Sequence, residues 1–376
     1  MRIGVPREIK VDEYRVGLTP SAARELVHHG HQVLVETNAG AGIGAGDDAY
    51  RIAGAEIAPD ADTVFASAEL VVKVKEPQPE ERALLRPGQI LFTYLHLAPD
   101  PVQTVDLLAS GCTAVAYETV TDASGGLPLL APMSEVAGRL SIEAAGYSLR
   151  RTAGGPGILL GGVPGVHPGR VLIIGGGMVG LNAARMAVGL GAEVVVLDRS
   201  LPRLRQLDDL FQGRIVTGFS TFDAIEHEAR LADAVIGAAL VPGARAPKLI
   251  TREMLSGMKP GSVLVDVAID QGGCFETSRP TTHHDPVYVV DGVTHYCVAN
   301  MPGAVPRTSS LALGAATFPF VLALADHGLD ALRQDRHLRA GLNIIDGKLT
   351  NRAVAESLAQ AWTPPETALG MHLTSV

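Results

Sequence analysis

One stretch of the sequence, from Val171 to Asp198, constrains the fold more than any other. Four apolar residues run directly into the pattern G-x-G-x-x-G, which is spelled by Gly175, Gly177 and Gly180. Apolar residues at helical spacing follow, and a second apolar run ends at Asp198. A strand, a tight turn, a helix and a second strand that ends in an acid predict, in this order, a dinucleotide-binding unit.

Each part of this unit has a physical role. The first glycine allows the sharp turn, the second lets a pyrophosphate approach the backbone, and the third lets helix and strand pack closely. The helix N-terminus offers N–H groups and a partial positive charge to the phosphates. Asp198 would accept hydrogen bonds from the adenosine ribose hydroxyls, and its charge would repel a 2′-phosphate, so the sequence predicts NAD rather than NADP. A lone G-x-G-x-x-G is weak in a chain with 42 glycines, but here its context is complete.

Composition narrows the class of protein. A length of 376 residues predicts two or three domains, and a formal charge of −9 argues against a nucleic-acid partner. Cys112, Cys274 and Cys297 are odd in number and widely spaced, so we expect neither a metal site nor disulfides, and a reducing cytoplasm. The chain opens with a short strand, Arg2–Val5, rather than a signal peptide, and no apolar run is expected to cross a membrane.

Strands alternate with helices along the chain, which predicts parallel α/β sheets. Residues 1–128 form one such unit, and residues 129–306 form the NAD-binding domain, with a bridging helix from about Ser134 to Arg151. Residues 307–376 are too few for an independent domain, so we expect them to pack on the first unit. The predicted fold is α/β, with two Rossmann-like doubly wound domains separated by an active-site cleft, and the outer, substrate-binding domain is discontinuous.

Several segments carry less regular patterns. Tyr288–Val290 and Cys297–Val298 are predicted as short strands, and residues 328–360 as one or two helices. The glycine-rich loop Asn38–Asp48 resembles a phosphate loop. No helix-length apolar period and no acid-terminated strand follow it closely, so we do not predict a second nucleotide site there.

Four polar residues lie at or just past the carboxyl ends of predicted strands, where open α/β sheets bind ligands. Lys75 ends the strand that begins near Leu70, and His96 ends the strand that begins at Ile90. Asp270 lies just past a strand at 262–267, and Arg15 lies in the loop after the first strand. If two such sheets face each other across a cleft, these four side chains meet the nicotinamide.

Each of the four has a functional and a structural interpretation, and spacing alone does not decide between them. Arg15 offers a planar fork that suits a carboxylate, or is a solvated loop charge. Lys75 could hold a substrate carboxylate or carbonyl oxygen, with Lys73 on the same side of the strand, or it caps a strand edge. His96 suits proton transfer, or is a hydrogen-bonded structural histidine. Asp270 is the carboxylate nearest the expected nicotinamide, or a turn acid.

The whole chain resembles the bacterial alanine dehydrogenases, which form one family with the NAD-binding subunit of proton-translocating transhydrogenase. More distantly, its first half is similar to the lysine-forming saccharopine dehydrogenases. The motifs that carry the resemblance appear in order along the sequence: Met1–Glu8, Arg15–Pro20, Val74–Pro77, Thr93–Ala98, Pro132–Ser134, Asp266–Gly273 and Val298–Gly303.

The resemblance implies roles for individual residues. It assigns the substrate carboxylate and carbonyl side to Arg15 and Lys75, acid–base chemistry to His96, and the second catalytic role to Asp270. Some relatives have lysine where Arg203 stands, and either cation would suit the adenosine end. Together with the glycine motif, the residues expected to contact NAD are Ser134, Gly175, Gly177, Met178, Val179, Gly180, Asp198, Arg203, Ser220, Ala239, Leu240, Val267, Ala268, Ile269, Asp270, Arg279, Val298, Ala299, Asn300 and Met301.

Metal binding is not expected. Some relatives hold a divalent ion on a Glu and a His one helical turn apart, but here Ala323 precedes His327. The pair His283 and His284 lies in a polar loop and is interpreted as solvated.

The implied activity is reversible oxidative deamination, in which L-alanine, NAD⁺ and water give pyruvate, ammonium and NADH. The implied assembly is a cytoplasmic homohexamer without a membrane partner. Two alternatives stay open. One is a soluble NAD-binding transhydrogenase subunit, which would have no use for an amino-acid site built from the four polar residues. The other is a dehydrogenase of another small 2-amino acid, such as serine or glycine.

Overall fold

The computed structural model describes residues 1–239 and 247–371, which divide into two compact units. The first unit comprises Met1–Met133 and the chain from Val305 onward, and the second comprises Ser134–Ala304. Each unit is built around one mostly parallel sheet, which confirms the predicted α/β class. The boundaries lie at 133/134 and 304/305, where the sequence predicted 128/129 and 306/307.

The first sheet has the strand order β15-β14-β6-β5-β4-β1-β2-β3. From β3 to β6 all neighbours are parallel, and the order reverses direction between β1 and β4, as in a doubly wound sheet. The strands are β1 Arg2–Val5, β2 Gln32–Glu36, β3 Glu56–Ala58, β4 Leu70–Val72, β5 Ile90–Thr93, β6 Thr113–Ala116, and, from the C-terminal segment, β14 Leu342–Ile345 and β15 Lys348–Leu349.

The second sheet has the order β12-β13-β11-β10-β7-β8-β9 and reverses between β7 and β10. Its strands are parallel except for the β12–β13 hairpin at one edge. The strands are β7 Arg170–Ile174, β8 Glu193–Asp198, β9 Val216–Phe219, β10 Ala234–Gly237, β11 Val263–Asp266, β12 Val287–Val290 and β13 Val293–Tyr296.

The helices cover the faces of these sheets. Many begin at a side-chain cap, and the predicted Thr19 cap accepts a hydrogen bond from Ala22 N. The helices are α1 Pro20–His28, α2 Asp47–Ile52, α3 Ala61–Ser67, α4 Pro79–Arg82, α5 Pro101–Ser110, α6 Ala131–Ser148, α7 Met178–Gly189, α8 Leu201–Phe211, α9 Phe222–Leu231, α10 Arg252–Leu255, α11 Pro306–His327, α12 Leu329–Gln334, α13 Arg336–Arg339, α14 Arg352–Leu358 and α15 Pro365–Ala368.

Burial explains why the central strands are continuously apolar. In β7, Val171 and Ile173 pack into one core cluster, whereas Leu172 and Ile174 pack into the cluster on the other face of the sheet. A strand that is buried on both faces needs apolar residues at every position rather than at alternate ones. This is the pattern that precedes the glycine motif.

Two predictions of local structure were wrong. The segment 328–360 contains helices, as predicted, but also β14 and β15, which were missed. β14 pairs antiparallel with β6 and so joins the first sheet. In addition, β13 ends at Tyr296, so Cys297 and Val298 follow a strand rather than form one. The missed strands are short, and four residues are too few to show a reliable period.

One helix bears on the expectation that no apolar run crosses a membrane. Among the described residues, α11 is long and apolar enough to do so by length and composition. Its inward face, which includes Leu313, Val321 and Leu324, is buried within the first unit. A core helix passes the same test of length and composition, so this finding is weak evidence for a membrane span.

A buried ion cluster lies at the carboxyl end of β4. The ammonium of Lys73 is 3.2 Å from Glu8 Oε2 and 2.6 Å from Glu81 Oε1, and all three side chains are almost fully buried. β4 ends at Val72, so Lys73 does not share a strand face with Lys75, as the sequence had suggested. Burial raises the pKa of Glu8 to about 6, although the charge of Lys73 opposes the shift.

We predict that Lys73→Met lowers the free energy of unfolding at pH 7 by about 3–5 kcal/mol, because two buried carboxylates lose their cation. A carboxyl whose folded pKa is raised costs stability as the pH rises through that value. The loss should therefore shrink between pH 7 and pH 5 as Glu8 takes up a proton. Urea unfolding at both pH values measures the effect. The matched control is Lys348→Met, at an exposed position of β15, and an equal loss of stability there would contradict the argument.

Candidate active site

The glycine turn of the second unit has the geometry that a dinucleotide requires. Gly175 has a φ of +104°, and a Cβ there would lie 2.7 Å from the carbonyl oxygen of Ala238. A Cβ on Gly180 would lie 1.8 Å from the carbonyl oxygen of Gly175. In contrast, a Cβ on Gly177 would meet no described atom within 4 Å. At the first and third glycines, neighbouring backbone leaves no room for a Cβ atom. The second glycine borders open space, as a pyrophosphate close to the backbone would need.

Asp198 is held beside this turn at the end of β8. Its Oδ2 accepts a hydrogen bond from Gly176 N at 2.6 Å, and its Oδ1 accepts one from Ser200 N at 2.7 Å. Arg203 donates from Nε to the carbonyl oxygen of Gly176 at 2.5 Å. The α7 N-terminus has Gly177 as its N-cap and receives no side-chain cap. Residues of this unit therefore suit the phosphates and one ribose of a dinucleotide.

Other predicted cofactor residues follow the carboxyl ends of neighbouring strands. Ser220 comes after β9, and its N–H donates to the carbonyl oxygen of Asp198 at 3.0 Å. Ala239 comes after β10 and Val267 after β11. Asp270 lies in the short 3-10 turn Ile269–Gln271 and is exposed.

The loop that carries Asp270 is organised by a buried carboxylate that sequence reasoning did not single out. Asp266 ends β11 and is fully buried. It accepts hydrogen bonds from Ala268 N at 3.0 Å, Cys274 N at 2.9 Å and Ser278 Oγ at 2.5 Å. Asp266 therefore fixes the backbone on both sides of Asp270.

Some predicted cofactor residues can offer only their backbone. The side chains of Ala268, Ile269, Val298 and Met301 are buried, and all but Ile269 belong to the core clusters on the two faces of the second sheet. Contact with NAD through these residues would use N–H and C=O groups. Leu240 lies outside the described residues.

Two more of the predicted cofactor residues flank the β12–β13 hairpin: Arg279 precedes it and Asn300 follows it. Arg279 is exposed, and its guanidinium lies 4.1 Å from the ring centroid of Tyr288. Asn300 has a φ of +57°. Its carbonyl oxygen is 3.3 Å from Nε2 of His283, which is partly buried, so the interpretation of His283 as solvated was wrong.

In the first unit, Arg15 is not a solvated loop charge. Its side chain is 2% exposed, and its Nε and Nη2 donate to the two carboxylate oxygens of Glu13 at 2.6 and 2.5 Å. Nη1 faces the sulfur of Met133 at 3.0 Å. Burial alone would lower the pKa of Arg15, but Glu13 raises it above the usual value. Arg15 is thus a buried cation whose orientation is fixed by Glu13 and Met133.

His96 follows β5 in a left-handed conformation, with a φ of +51°. The carboxylate of Glu118 accepts hydrogen bonds from the backbone N–H of His96 at 2.7 Å and of Leu95 at 3.2 Å. The imidazole stacks on Tyr94, with ring centroids 5.8 Å apart and 21° between the planes. The side chain is 44% exposed, so the ring is both held and accessible.

Lys75 is partly buried, and its carbonyl oxygen accepts a hydrogen bond from Thr93 Oγ1 at 2.9 Å. This bond links the loop after β4 to the end of β5. Arg15, Lys75 and His96 therefore follow β1, β4 and β5, which are adjacent strands around the reversal of the first sheet. The structure places these three in the first unit and Asp270 in the second.

A pocket of about 480 Å³ opens in the first unit among the loops that follow β1 and β2. Arg15, Glu13 and Lys10 line it on one side, and the glycine-rich loop lines it on the other. A Cβ on Gly42 would lie 2.3 Å from the carbonyl oxygen of Tyr14, so this glycine lets the two loops approach closely. Gly42 therefore has a packing role in this loop, and the absence of a nucleotide site there stays a prediction.

Among the described residues, no group of three His, Cys, Asp or Glu side chains comes together to hold a metal ion. The residues that sequence reasoning missed are acids and an aromatic: Glu13, Glu76, Glu118, Asp266 and Tyr94. Four of them lie within a few residues of a predicted site residue, but a carboxylate near a strand end is too common to be a signal by itself.

Comparisons with known proteins agree with the division of the chain into two units. The family model described as alanine dehydrogenase/PNT, N-terminal domain, matches residues 4–137, and the model of the C-terminal domain of the same family matches residues 141–352. The alanine dehydrogenase of Halomonas elongata is 63% identical over 371 residues, which cover 98% of this chain and all of that protein. The alanine dehydrogenase of Bacillus subtilis is 54% identical and covers 98% of each chain.

Two solved structures show the same fold. A structure named L-alanine dehydrogenase is 52% identical, covers 96% of this chain and 99% of its own, and superposes with a TM-score of 0.93. A transhydrogenase structure from Sinorhizobium meliloti is 25% identical, covers 94% of this chain and all of its own, and has a TM-score of 0.81.

We predict opposite effects for two glycines of the same turn. Gly177→Ala should raise the dissociation constant of NAD⁺ by at least about tenfold and leave thermal stability nearly unchanged, because the new methyl enters the space reserved for the pyrophosphate. Gly180→Ala should lower the melting temperature markedly, because its methyl collides with backbone. Calorimetric titration and thermal unfolding separate the two effects. Gly189→Ala, in open space at the end of α7, is the control, and a Gly177→Ala variant that binds NAD⁺ like this control would contradict the prediction.

Proposed function

Because the chain belongs to the alanine dehydrogenase/PNT family, we propose that it is an NAD-dependent L-alanine dehydrogenase that interconverts L-alanine with pyruvate and ammonium. The observation that carries the proposal is identity of 52–63% over nearly the full length to proteins named alanine dehydrogenase. The local geometry supports it, since Asp198 and the glycine turn suit NAD, and Arg15 is a buried, fixed cation.

The proposed reaction oxidises the α-carbon of alanine. Bound NAD⁺ would accept the hydride from that carbon. Arg15 and Lys75 would hold the substrate carboxylate, because hydride transfer depends on positioning. His96 would take a proton from the water that adds to the resulting iminium and later return it as ammonium leaves. Asp270 would stabilise the positive charge that develops on the iminium nitrogen.

We predict that purified protein forms NADH from L-alanine faster than from serine, glycine or other small 2-amino acids. With NADP⁺ in place of NAD⁺, the rate should fall by at least about tenfold, because Asp198 would repel the 2′-phosphate. The assay follows absorbance of the reduced nicotinamide. A preference for another amino acid would replace the proposed substrate, and no activity with any of them would favour the transhydrogenase alternative.

We predict that His96→Ala and Asp270→Ala each reduce turnover by more than about a hundredfold, the usual scale for acid–base groups. NADH affinity should stay nearly unchanged in both variants, because neither change removes a group that holds the phosphates. Steady-state kinetics and fluorescence titration of NADH measure the two quantities. Turnover near wild type in either variant would remove that residue from the mechanism.

The transhydrogenase alternative is disfavoured by similarity: the alanine dehydrogenase structure is about twice as identical to this chain as the transhydrogenase structure. It is also disfavoured by the chemistry of Arg15, Lys75 and His96, which a protein that only binds a nucleotide does not need.

We further propose that the enzyme is a cytoplasmic homohexamer, as the sequence resemblance implies. The apolar α11 would then be a core helix rather than a membrane span. Light scattering should give a mass of about 236 kDa, six times the 39.3 kDa of one chain. A mass of one or two chains at micromolar concentration would contradict this assembly.

A further inference from the structure

A carboxylate that has no assigned role faces the imidazole of His96. Nδ1 of His96 lies 3.5 Å from Oε2 of Glu76. This distance is long for a hydrogen bond and typical of an ion-pair contact. Oε2 is buried, and within the described chain it has no hydrogen-bond partner, so the imidazole is the group that faces it.

Glu76 is itself firmly held. Its side chain is 14% exposed, and its Oε1 forms an ion pair with Lys10. Its carbonyl oxygen accepts a hydrogen bond from Gln78 Nε2 at 2.9 Å. Burial alone would raise the pKa of Glu76, but His96, Lys10 and the charge of Lys75 lower it to about 2. The carboxylate therefore stays ionised through the neutral range.

We propose that Glu76 positions His96 for proton transfer, by holding the proton on Nδ1 and leaving Nε2 to exchange protons with the substrate. This inference rests on the proposed function. The cause is geometric, because a carboxylate next to one ring nitrogen stabilises the tautomer that carries its proton there. Three groups then fix the imidazole: Glu118 holds its backbone, Tyr94 holds its face, and Glu76 holds one edge.

The proton transfers balance without any change in Glu76. When water adds to the iminium carbon, the new C–O bond forms and one water proton passes to Nε2, so the imidazole becomes an imidazolium. When the carbinolamine collapses, Nε2 returns that proton to the nitrogen, the C–N bond breaks as the C=O bond of pyruvate forms, and the hydroxyl proton passes to the departing ammonia, which leaves as ammonium. Glu76 stabilises the imidazolium between the two steps by its charge and takes no proton itself.

The charged groups around His96 determine the direction in which each substitution should change the pH dependence of the rate. Glu76 faces the ring, Glu118 binds the backbone N–H of His96, and Tyr94 stacks on the ring. Lys10 and Lys75 act on Glu76, and Arg15 acts on Tyr94. Oxidative deamination needs the neutral imidazole, so its rate should rise with pH. A nearby carboxylate favours an imidazolium and a nearby ammonium disfavours it, so removal of Glu76 and removal of Lys10 should move the midpoint of that rise in opposite directions.

The test compares two substitutions with opposite expected shifts. Glu76→Gln keeps the shape of the side chain and should move the midpoint of the pH–rate profile down by about one unit. It should also lower kcat by about 10- to 100-fold, while KM for alanine changes less than about threefold. Lys10→Met leaves Glu76 in place and should move the midpoint up by a few tenths of a unit. The exposed Glu80→Gln, on α4, is the matched control and should behave like wild type.

A merely structural role for Glu76 would lower activity without opposite shifts in the two variants. Midpoints for Glu76→Gln and Lys10→Met that match the Glu80→Gln control would overturn the proposal. If Glu76→Gln does not fold, the Lys10→Met shift decides alone.

Titration of ¹³C-labelled histidine by NMR gives a readout that does not depend on catalysis. The His96 signal is identified by its loss in His96→Gln. Its midpoint should shift in the two variants as described above. If wild-type protein shows no activity with alanine, the proposed function fails, and the NMR titration still decides whether Glu76 acts on His96.

Discussion

In each unit, hydrogen bonds from loop N–H groups to buried or partly buried carboxylates fix the loops at the carboxyl ends of the sheet. A parallel strand that ends leaves backbone donors without a ladder partner, and a buried donor must be satisfied. Here acids meet this need: Glu8 accepts from Val74 N, Glu118 from His96 N, and Asp198 from Gly176 N. Such bonds to an ionised acceptor are roughly twice as strong as neutral ones, so they can fix loops that carry function.

This constraint explains why the candidate site residues are held more firmly than ordinary loop residues. The backbone of His96 adopts a left-handed conformation that costs free energy for a residue with a Cβ. Glu118 compensates by binding two consecutive N–H groups. Asp266 likewise fixes the loop around Asp270, with five backbone or side-chain donors within 3.5 Å. The candidate site residues of both units are therefore held in place by neighbouring acids.

The sequence was informative where periodicity and motifs are strong. The α/β class, the glycine turn and the placement of Arg15, His96 and Asp198 near strand ends could all be predicted, because buried strands and tight turns leave direct marks on residue type. β14 and β15 were missed because short strands added to the edge of a sheet have no such mark. Glu76 and Glu118 were missed for another reason: their partners are 20 and 22 residues away in sequence, and only the folded backbone brings them together.

The balance of charge suggests why so many acids accompany the cations in the first unit. A buried guanidinium without a partner is strongly destabilised by the loss of its hydration. The carboxylate of Glu13 binds one edge of Arg15, and this attraction offsets the loss. Nη1 of Arg15 lies 3.0 Å from the sulfur of Met133, a contact that further fixes the orientation of the guanidinium. A pre-paired cation binds an anion less strongly than a bare one would. It has the advantage of a fixed orientation, and for hydride transfer orientation contributes more to the rate than ground-state affinity. The same reasoning applies to His96, whose ring faces Glu76 on one edge and whose backbone is held by Glu118, so that under the proposed mechanism its other edge would exchange protons in a defined direction.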